Sequence, residues 1–190
     1  MMQLDAPERD IPLDPVVLRL PPAALLVVAG VPGAGKTTWL SRIQAPGSLV
    51  LDPEPIRARL ARRLGPLPYR LWRPLVHAEH VARVLLALPG SSGLIVHDTG
   101  TRGWRRRLLA ALARRFGRSG HLLLLDVPAE TALEGQRERR RALGPAAFAA
   151  HWRRLRDGLP AGLAAEGWAS VRVLDRPAAD RLDRVEIPAR

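Results

Sequence analysis

The sequence predicts an α/β fold of three layers, with a five-stranded, mainly parallel sheet held between two layers of helices. Three observations carry this. Short, continuous apolar runs alternate with longer helical segments along the chain, the order of elements that builds a parallel sheet covered on both faces. The first clear run passes directly into the glycine-rich stretch Gly30-Val31-Pro32-Gly33-Ala34-Gly35-Lys36-Thr37 and then into a helix. Three of the runs end at aspartates, Asp52, Asp98 and Asp126, although aspartate is also a common strand terminator. In such sheets the carboxyl ends of the strands form the ligand crevice.

The elements follow in order. Leu25–Ala29 is apolar at every position, the pattern of a strand buried on both faces. After the glycine-rich loop, Thr37-Thr38-Trp39-Leu40 opens a helix. Ser48–Leu51 reads as the second strand, closing on Asp52, and a helical stretch runs from about Ile56 to Leu88, broken near Gly65-Pro66-Leu67-Pro68. Leu94–Val96 is the third strand, closing on His97-Asp98, and Arg105–Phe116 is helical. His121–Leu125 is the fourth strand, followed by helices over Glu130–Arg141 and Pro145–Gly158, and Val171–Leu174 is the fifth. The expectation is a single domain over 1–190, with its core in 24–175 and with 1–22 and 176–190 as peripheral segments.

Composition narrows the classes. With 47% hydrophobic and 25% charged residues the chain is that of a globular protein. No apolar run approaches the roughly 18 residues of a membrane span, and Met1–Leu20 mixes acids, prolines and aliphatics unlike a signal peptide. The chain has no cysteine, which excludes disulfides, thiolate metal sites and a cysteine nucleophile. The expectation is a cytoplasmic protein with no membrane partner. The formal charge of +12 points to polyanions. Yet the chain has 30 basic residues, only one of them lysine, and no asparagine, the skew that a GC-rich genome imposes. Much of the arginine therefore replaces ordinary surface lysine, and the charge says little about a nucleic-acid partner.

The lone lysine is the exception that matters. Residues 30–37 fit G-x-x-x-x-G-K-[ST], whose glycines turn backbone N–H groups inward around phosphates. Lys36 sits where an ammonium bridges the β- and γ-phosphates, and the Thr37 hydroxyl where Mg²⁺ is ligated. ATP and Mg²⁺ are thus the expected cofactors, with the binding set Gly30, Val31, Pro32, Gly33, Ala34, Gly35, Lys36, Thr37 and Thr38. Asp98, at a neighbouring strand end, is the expected magnesium carboxylate, with capping of Thr99-Gly100 as the plainer reading. In Asp52-Pro53-Glu54-Pro55-Ile56-Arg57, either carboxylate suits a general base for an acceptor hydroxyl and Arg57 suits a clamp; helix capping accounts for one carboxylate but less naturally for both.

Other clusters carry weaker signals. Among Arg137, Arg139, Arg140 and Arg141, one or two are expected to stabilise charge on the transferring phosphoryl group; Arg137 and Arg141, four apart, share a helix face. Tyr69, Arg70, Trp72, Arg73, His77 and His80 mix aromatic and basic groups that stack on a ring or simply pack. Arg102, Arg105, Arg106 and Arg107 face substrate phosphate or solvent.

At these residues the chain resembles the phosphate-loop kinases, in particular the polynucleotide 5′-hydroxyl kinase branch and the related zeta-toxin-like and adenylylsulfate kinases, and it is similar to small ATP-binding proteins of high-GC actinobacteria. The resemblance spans roughly residues 24 to 158. It implies the kinase strand order 2-3-1-4-5, an arginine-bearing helical lid over 135–158, and transfer of the γ-phosphate of ATP to a hydroxyl. Leu51–Arg57 is similar to an acidic-x-x-Arg motif, which makes Glu54 the base and Arg57 the clamp, with glutamate where aspartate is usual and Asp52 left as the alternative base. Asp126-Val127-Pro128 looks like the segment before the lid; by that match Arg139 is the phosphate-contacting arginine, and a second lid arginine aligns with Gly135. The acceptor is a small molecule or nucleoside-like hydroxyl ahead of a nucleic-acid 5′-hydroxyl. A GTPase is disfavoured, because Asn-Lys-x-Asp has no match in a chain without asparagine.

Overall fold

The computed structural model describes residues 16–138, 144–156 and 161–190. The order is β1 (Val16–Arg19), β2 (Leu25–Ala29), α1 (Lys36–Arg42), β3 (Ser48–Leu51), α2 (Pro53–Leu64), α3 (Tyr69–Ala87), β4 (Gly93–His97), α4 (Gly103–Arg115), β5 (Gly120–Leu125), α5 (Ala129–Glu138), α6 (Pro145–Arg156), α7 (Ala161–Ala164), β6 (Ser170–Leu174), α8 (Arg176–Arg181) and β7 (Leu182–Glu186).

Five strands form a parallel sheet in the order β3-β4-β2-β5-β6. Counted without β1, this is the expected order 2-3-1-4-5. The two central strands beside the glycine-rich loop, β2 and β5, are buried at every residue, as their continuous apolar runs require. The edge strand β3 leaves Leu49 and Val50 half exposed. The predicted break between the second strand and the third is real: α2 ends before Gly65, and α3 starts at Tyr69. A small satellite core of Ile56, Trp72 and Val76 joins these two helices, so Trp72 packs and does not stack on a ligand.

Of the segments expected to be peripheral, the described residues 16–22 and 176–190 contribute to the core; residues 1–15 lie outside the described residues. β1 and β7 pair in parallel as a second, two-stranded sheet. Leu18, Leu20, Leu182, Val185 and Ile187 are all buried in the main core cluster. This unit also ropes α1: Trp39 Nε1 donates to Leu182 O (3.2 Å), Arg42 Nη2 to Ala179 O (2.9 Å), and Gln44 N to Asp183 O (2.8 Å). At the opposite end of the sheet, Arg118 is 2% exposed. It donates to five carbonyls, those of Leu88, Ala23, Ser92, Ala87 and Gly90, at 2.5–3.2 Å, and so uses all five guanidinium N–H groups. Among the described residues, no helix is long and apolar enough to cross a membrane.

Candidate active site

The glycine-rich loop leaves β2 and is pinned at both ends. Gly30 N donates to Thr99 O (3.2 Å), and Trp39 N to Gly35 O (2.8 Å). Gly33 and Gly35 have φ of +92° and +87°, which a side chain would strain. Lys36 is buried, and its Nζ donates to Gly30 O (2.6 Å) and Val31 O (3.0 Å). The ammonium is therefore folded against its own loop, at the mouth of a cavity of about 350 Å³.

That cavity gathers part of the predicted chemistry: Pro32, Gly33, Gly35, Lys36, Thr37 and Glu54 line it, and Asp52, Arg57, Asp98 and Arg137 do not. Pro32, Gly33, Gly35, Lys36 and Thr37 line one side. Glu54 from α2 and Tyr69, Arg73 and His77 from α3 line another. His97 and Thr99 come from the end of β4, Gly135 and Gln136 from α5, and His151 from α6.

The two candidate bases part ways here. Asp52 caps α2: its Oδ1 accepts Glu54 N–H at 2.8 Å and lies 3.2 Å from His97 Nδ1. Burial pushes its carboxyl up, but the His97 imidazole and the Glu54 amide outweigh that and hold it below the usual range. Glu54, the second residue of the helix, lines the cavity, and its Oε1 accepts from Arg57 Nη1 at 3.3 Å. Arg57 in turn lies over the Tyr69 ring, 5.0 Å from its centroid. Capping thus accounts for Asp52, as the plainer reading had it, and leaves Glu54 beside the lysine.

Asp98 is placed differently from its expected partner Thr37. Its Oδ1 accepts Gly100 N–H at 2.7 Å and its Oδ2 lies 2.8 Å from Arg105 Nη2. It lines a second cavity, whereas its neighbours His97 and Thr99 line the one above the loop. The structure does not bring Asp98 into the cavity that Thr37 lines. Among the described residues, no group of three or more His, Asp or Glu is placed to hold a metal. The site still fits Mg²⁺ carried with a nucleotide, because such an ion takes one or two protein groups plus phosphate oxygens, and the Thr37 hydroxyl is there to supply one.

The arginines divide. Arg137 is exposed at the end of α5 and does not line the cavity; Arg139 and Arg141 lie outside the described residues. Of the cluster at 102–107, Arg105 holds Asp98. Arg106 is buried in a bidentate pair with Glu166 (2.6–3.1 Å) and also donates to Gly100 O. This pair buttresses the Thr99-Gly100 turn, and neither arginine serves as a phosphate clamp.

Three wall residues escaped the sequence reading. Gln136 Nε2 donates to Pro32 O at 2.9 Å, tying α5 to the loop. Gly135 allows that approach: a Cβ there would stand 2.6 Å from Gly33 O. An isolated glycine inside a helical pattern is a sequence-level sign of such a contact. His151 Nδ1 lies 3.1 Å from Thr101 Oγ1. Burial, then the surrounding Arg154, Arg73, Arg102 and Lys36 charges, hold its imidazole below the usual range and so neutral. No local pattern marks it in the sequence. Of these cations, Lys36 and Arg73 line the cavity itself, with Glu54 as its carboxylate.

The model of the AAA_33 family, an AAA domain, matches residues 25–160. Among curated proteins, none matches the sequence. Of solved structures, one from the PezAT chromosomal toxin–antitoxin system of Streptococcus pneumoniae is similar at 15% identity and a TM-score of 0.64, covering 82% of this chain and 68% of that one. A proposed kinase from Chloroflexus aurantiacus is similar at 18% identity and a TM-score of 0.53, covering 80% and 87%. Shikimate kinase from Acinetobacter baumannii is 21% identical with a TM-score of 0.47, covering 82% and 86%. At these identities the likeness is one of fold alone.

Proposed function

The chain belongs to the AAA_33 family of AAA domains, and from that premise we propose that it is an ATP-dependent phosphotransferase whose acceptor is the hydroxyl of a small or nucleoside-like molecule. The observation that carries the reading is the placement of Glu54. It faces the same cavity as Lys36 and Thr37, while Asp52 is taken up in capping. A cavity for nucleotide alone has no use for a carboxylate opposite the phosphate lysine.

ATP supplies the transferable phosphoryl group; the Thr37 hydroxyl would hold Mg²⁺, which when bound would neutralise charge on the phosphate oxygens. Lys36 exchanges its bonds to Gly30 O and Val31 O for phosphate oxygens, and the inward N–H groups of the loop hold the β-phosphate. Glu54 takes the proton of the acceptor hydroxyl, and Arg57, paired with it at 3.3 Å from outside the cavity lining, holds that carboxylate in place. Arg73, at the cavity wall, gives the transferring group a cation in place of the exposed Arg137. Thr99, held by the Arg106–Glu166 pair, keeps the far wall in register with the loop.

Incubation with γ-labelled ATP and a panel of polar alcohols, sugars, nucleosides and a 5′-hydroxyl oligonucleotide tests this. Label is expected on an organic acceptor, and Glu54→Gln is expected to lower kcat about 10²- to 10⁴-fold with nucleotide affinity kept. Asp52→Ala is expected to cost about 1 kcal/mol of stability through the lost cap and far less activity. Label released only as inorganic phosphate, or equal activity in Glu54→Gln, would overturn the assignment.

A further inference from the structure

Two polar side chains meet where β3 and β4 end beside the phosphate loop. The parallel register pairs Leu51 with Val96, so Asp52 and His97, one residue on, stand side by side and project to the same face. His97 is also in register with Val28 of β2, which sets the imidazole next to the strand that runs into Gly30. It lines the same cavity as Lys36, Thr37 and Glu54, and the transfer steps above leave it without a role.

The His97 ring is fixed from several directions. Its main chain is held by the sheet and by His80, whose Nε2 lies 3.0 Å from His97 O; a carbonyl only accepts, so His80 is the donor. His97 Nδ1 is buried 3.2 Å from Asp52 Oδ1 and meets no other hydrogen-bond partner among the described residues. A carboxylate only accepts, so the proton of the neutral ring belongs on Nδ1. That leaves a lone pair on Nε2, the polar atom of this side chain that is not shut away. The same Asp52 Oδ1 takes the Glu54 amide at 2.8 Å. One atom therefore anchors both the residue that carries the base and the ring beside it.

We infer that His97 Nε2 accepts a hydrogen bond from a second hydroxyl of the acceptor, with Asp52 as the positioning residue that fixes its tautomer, so that the substrate is a vicinal diol or polyol. This rests on the kinase reading above. A hydroxyl has one proton. In the transfer that proton goes to Glu54, the oxygen bonds the γ-phosphorus, and ADP leaves with the bridging oxygen. The triphosphate at Lys36 presents oxygens only and gives Nε2 nothing to accept. A molecule with two neighbouring hydroxyls serves both acceptors, whereas a mono-alcohol leaves the lone pair of a mostly buried ring unpaired, which costs affinity. His77 and His151 do not compete for this place. Arg73 Nε donates to His77 Nε2 at 3.1 Å, and His151 Nδ1 lies 3.1 Å from Thr101 Oγ1.

The test offers the full chain, with Mg²⁺ and γ-labelled ATP, matched pairs of acceptors: ethylene glycol and ethanol, glycerol and propanol, uridine and deoxyuridine. In each labelled pair the vicinal diol is expected to have a KM about 3- to 10-fold lower at similar kcat. His97→Gln, whose amide oxygen reaches the place of Nε2, is expected to keep the difference. His97→Asn, which reaches only the place of Nδ1, and Asp52→Ala are expected to lose it, with the KM of the mono-alcohol unchanged. The tautomer has its own readout. In NMR of the protein with ¹⁵N-labelled histidine, the His97 ring, assigned by its absence in His97→Gln, is expected in the Nδ1–H form and to change to Nε2–H in Asp52→Ala. An Nε2–H ring in the unaltered protein, equal KM values within every labelled pair, or a diol preference that persists in His97→Asn would overturn this inference and leave the kinase reading intact. Loss of the preference in His97→Gln as complete as in His97→Asn would make the ring a packing element and overturn it too. Label released only as inorganic phosphate with every pair would overturn the kinase reading and, with it, the acceptor role of His97.

Discussion

Asp52 and Glu54 have the same carboxyl chemistry two positions apart, and their partners alone separate them. Asp52 stands where its oxygen meets the first free amide of α2, and Glu54 stands where the helix has turned its side chain to the cavity. Lys36 is the opposite case, a residue whose role follows from type and spacing alone. Replacing it with the chain's preferred cation makes a sharp test: Lys36→Arg keeps the charge but not the compact ammonium, and is expected to lower phosphoryl transfer about 100-fold in the labelled-ATP assay with the melting temperature little changed. The histidines predict a pH dependence. Burial leads the causes that hold His77, His80, His121 and His151 below the ordinary 6.5. The unfolded chain then binds protons that the folded one refuses, so stability falls as pH drops below about 6.5. Urea midpoints are expected to decrease from pH 7.5 to 5.5; a flat profile would count against neutral buried imidazoles. Asp52 acts in a separate window. Its carboxyl is lowered from 3.8, so its contribution is present above that value and is lost as pH falls below it. The loop glycines, Lys36 and Glu54 were legible in the sequence because each belongs to a local pattern. His151 and Gln136 were not, since Gln136 meets its partner 104 residues away and neither sits in a motif.

Among the elements, α5 is the one that closes on the loop. The sequence located this helix after β5 but read its arginines as the functional face. In the described part of α5, Gln136 and Gly135 meet the loop, and Arg137, the next residue round the helix, is turned to solvent. The contact is backbone against backbone, with a Cβ on Gly33 falling 1.9 Å from Ala132 O and one on Gly135 falling 2.6 Å from Gly33 O. Gly135→Ala is therefore expected to push α5 off the loop, destabilising the fold by about 1–3 kcal/mol and weakening nucleotide binding. Gly144→Ala, where a Cβ meets nothing within 4 Å, is the control. Thermal melts with and without ATP measure both effects, and a Gly135→Ala protein with normal stability would contradict the crossing. An arginine at this position, as the kinase resemblance would align it, has no room here.

For the whole molecule, the five-stranded sheet was readable because its central strands, β2, β4 and β5, carry continuous apolar runs. The β1–β7 sheet was not. Its buried residues in β7, Leu182 and Val185, are three apart, and the register shifts between Val16 and Val17, so the alternation that marks a strand is broken. The surrounding aspartates and arginines made it resemble an exposed segment. Its contribution is large: Val185 is fully buried, and Val185→Asp is expected to cost more than about 4 kcal/mol and to lose α1 packing with it, measurable as a collapse of the denaturation midpoint. Glu166→Gln breaks the buried pair to Arg106 and is expected to cost about 3–5 kcal/mol while moving the Thr99 turn. The ties from α1 to β7 also carry a consequence for the order of folding. Trp39 and Leu182 are 143 residues apart, so the phosphate loop emerges early in synthesis but its supporting helix gains its anchor only when β7 is made. Loop closure over that distance costs entropy before any contact repays it, and a nascent chain stopped short of residue 182 would carry the nucleotide motif without the scaffold that shapes it.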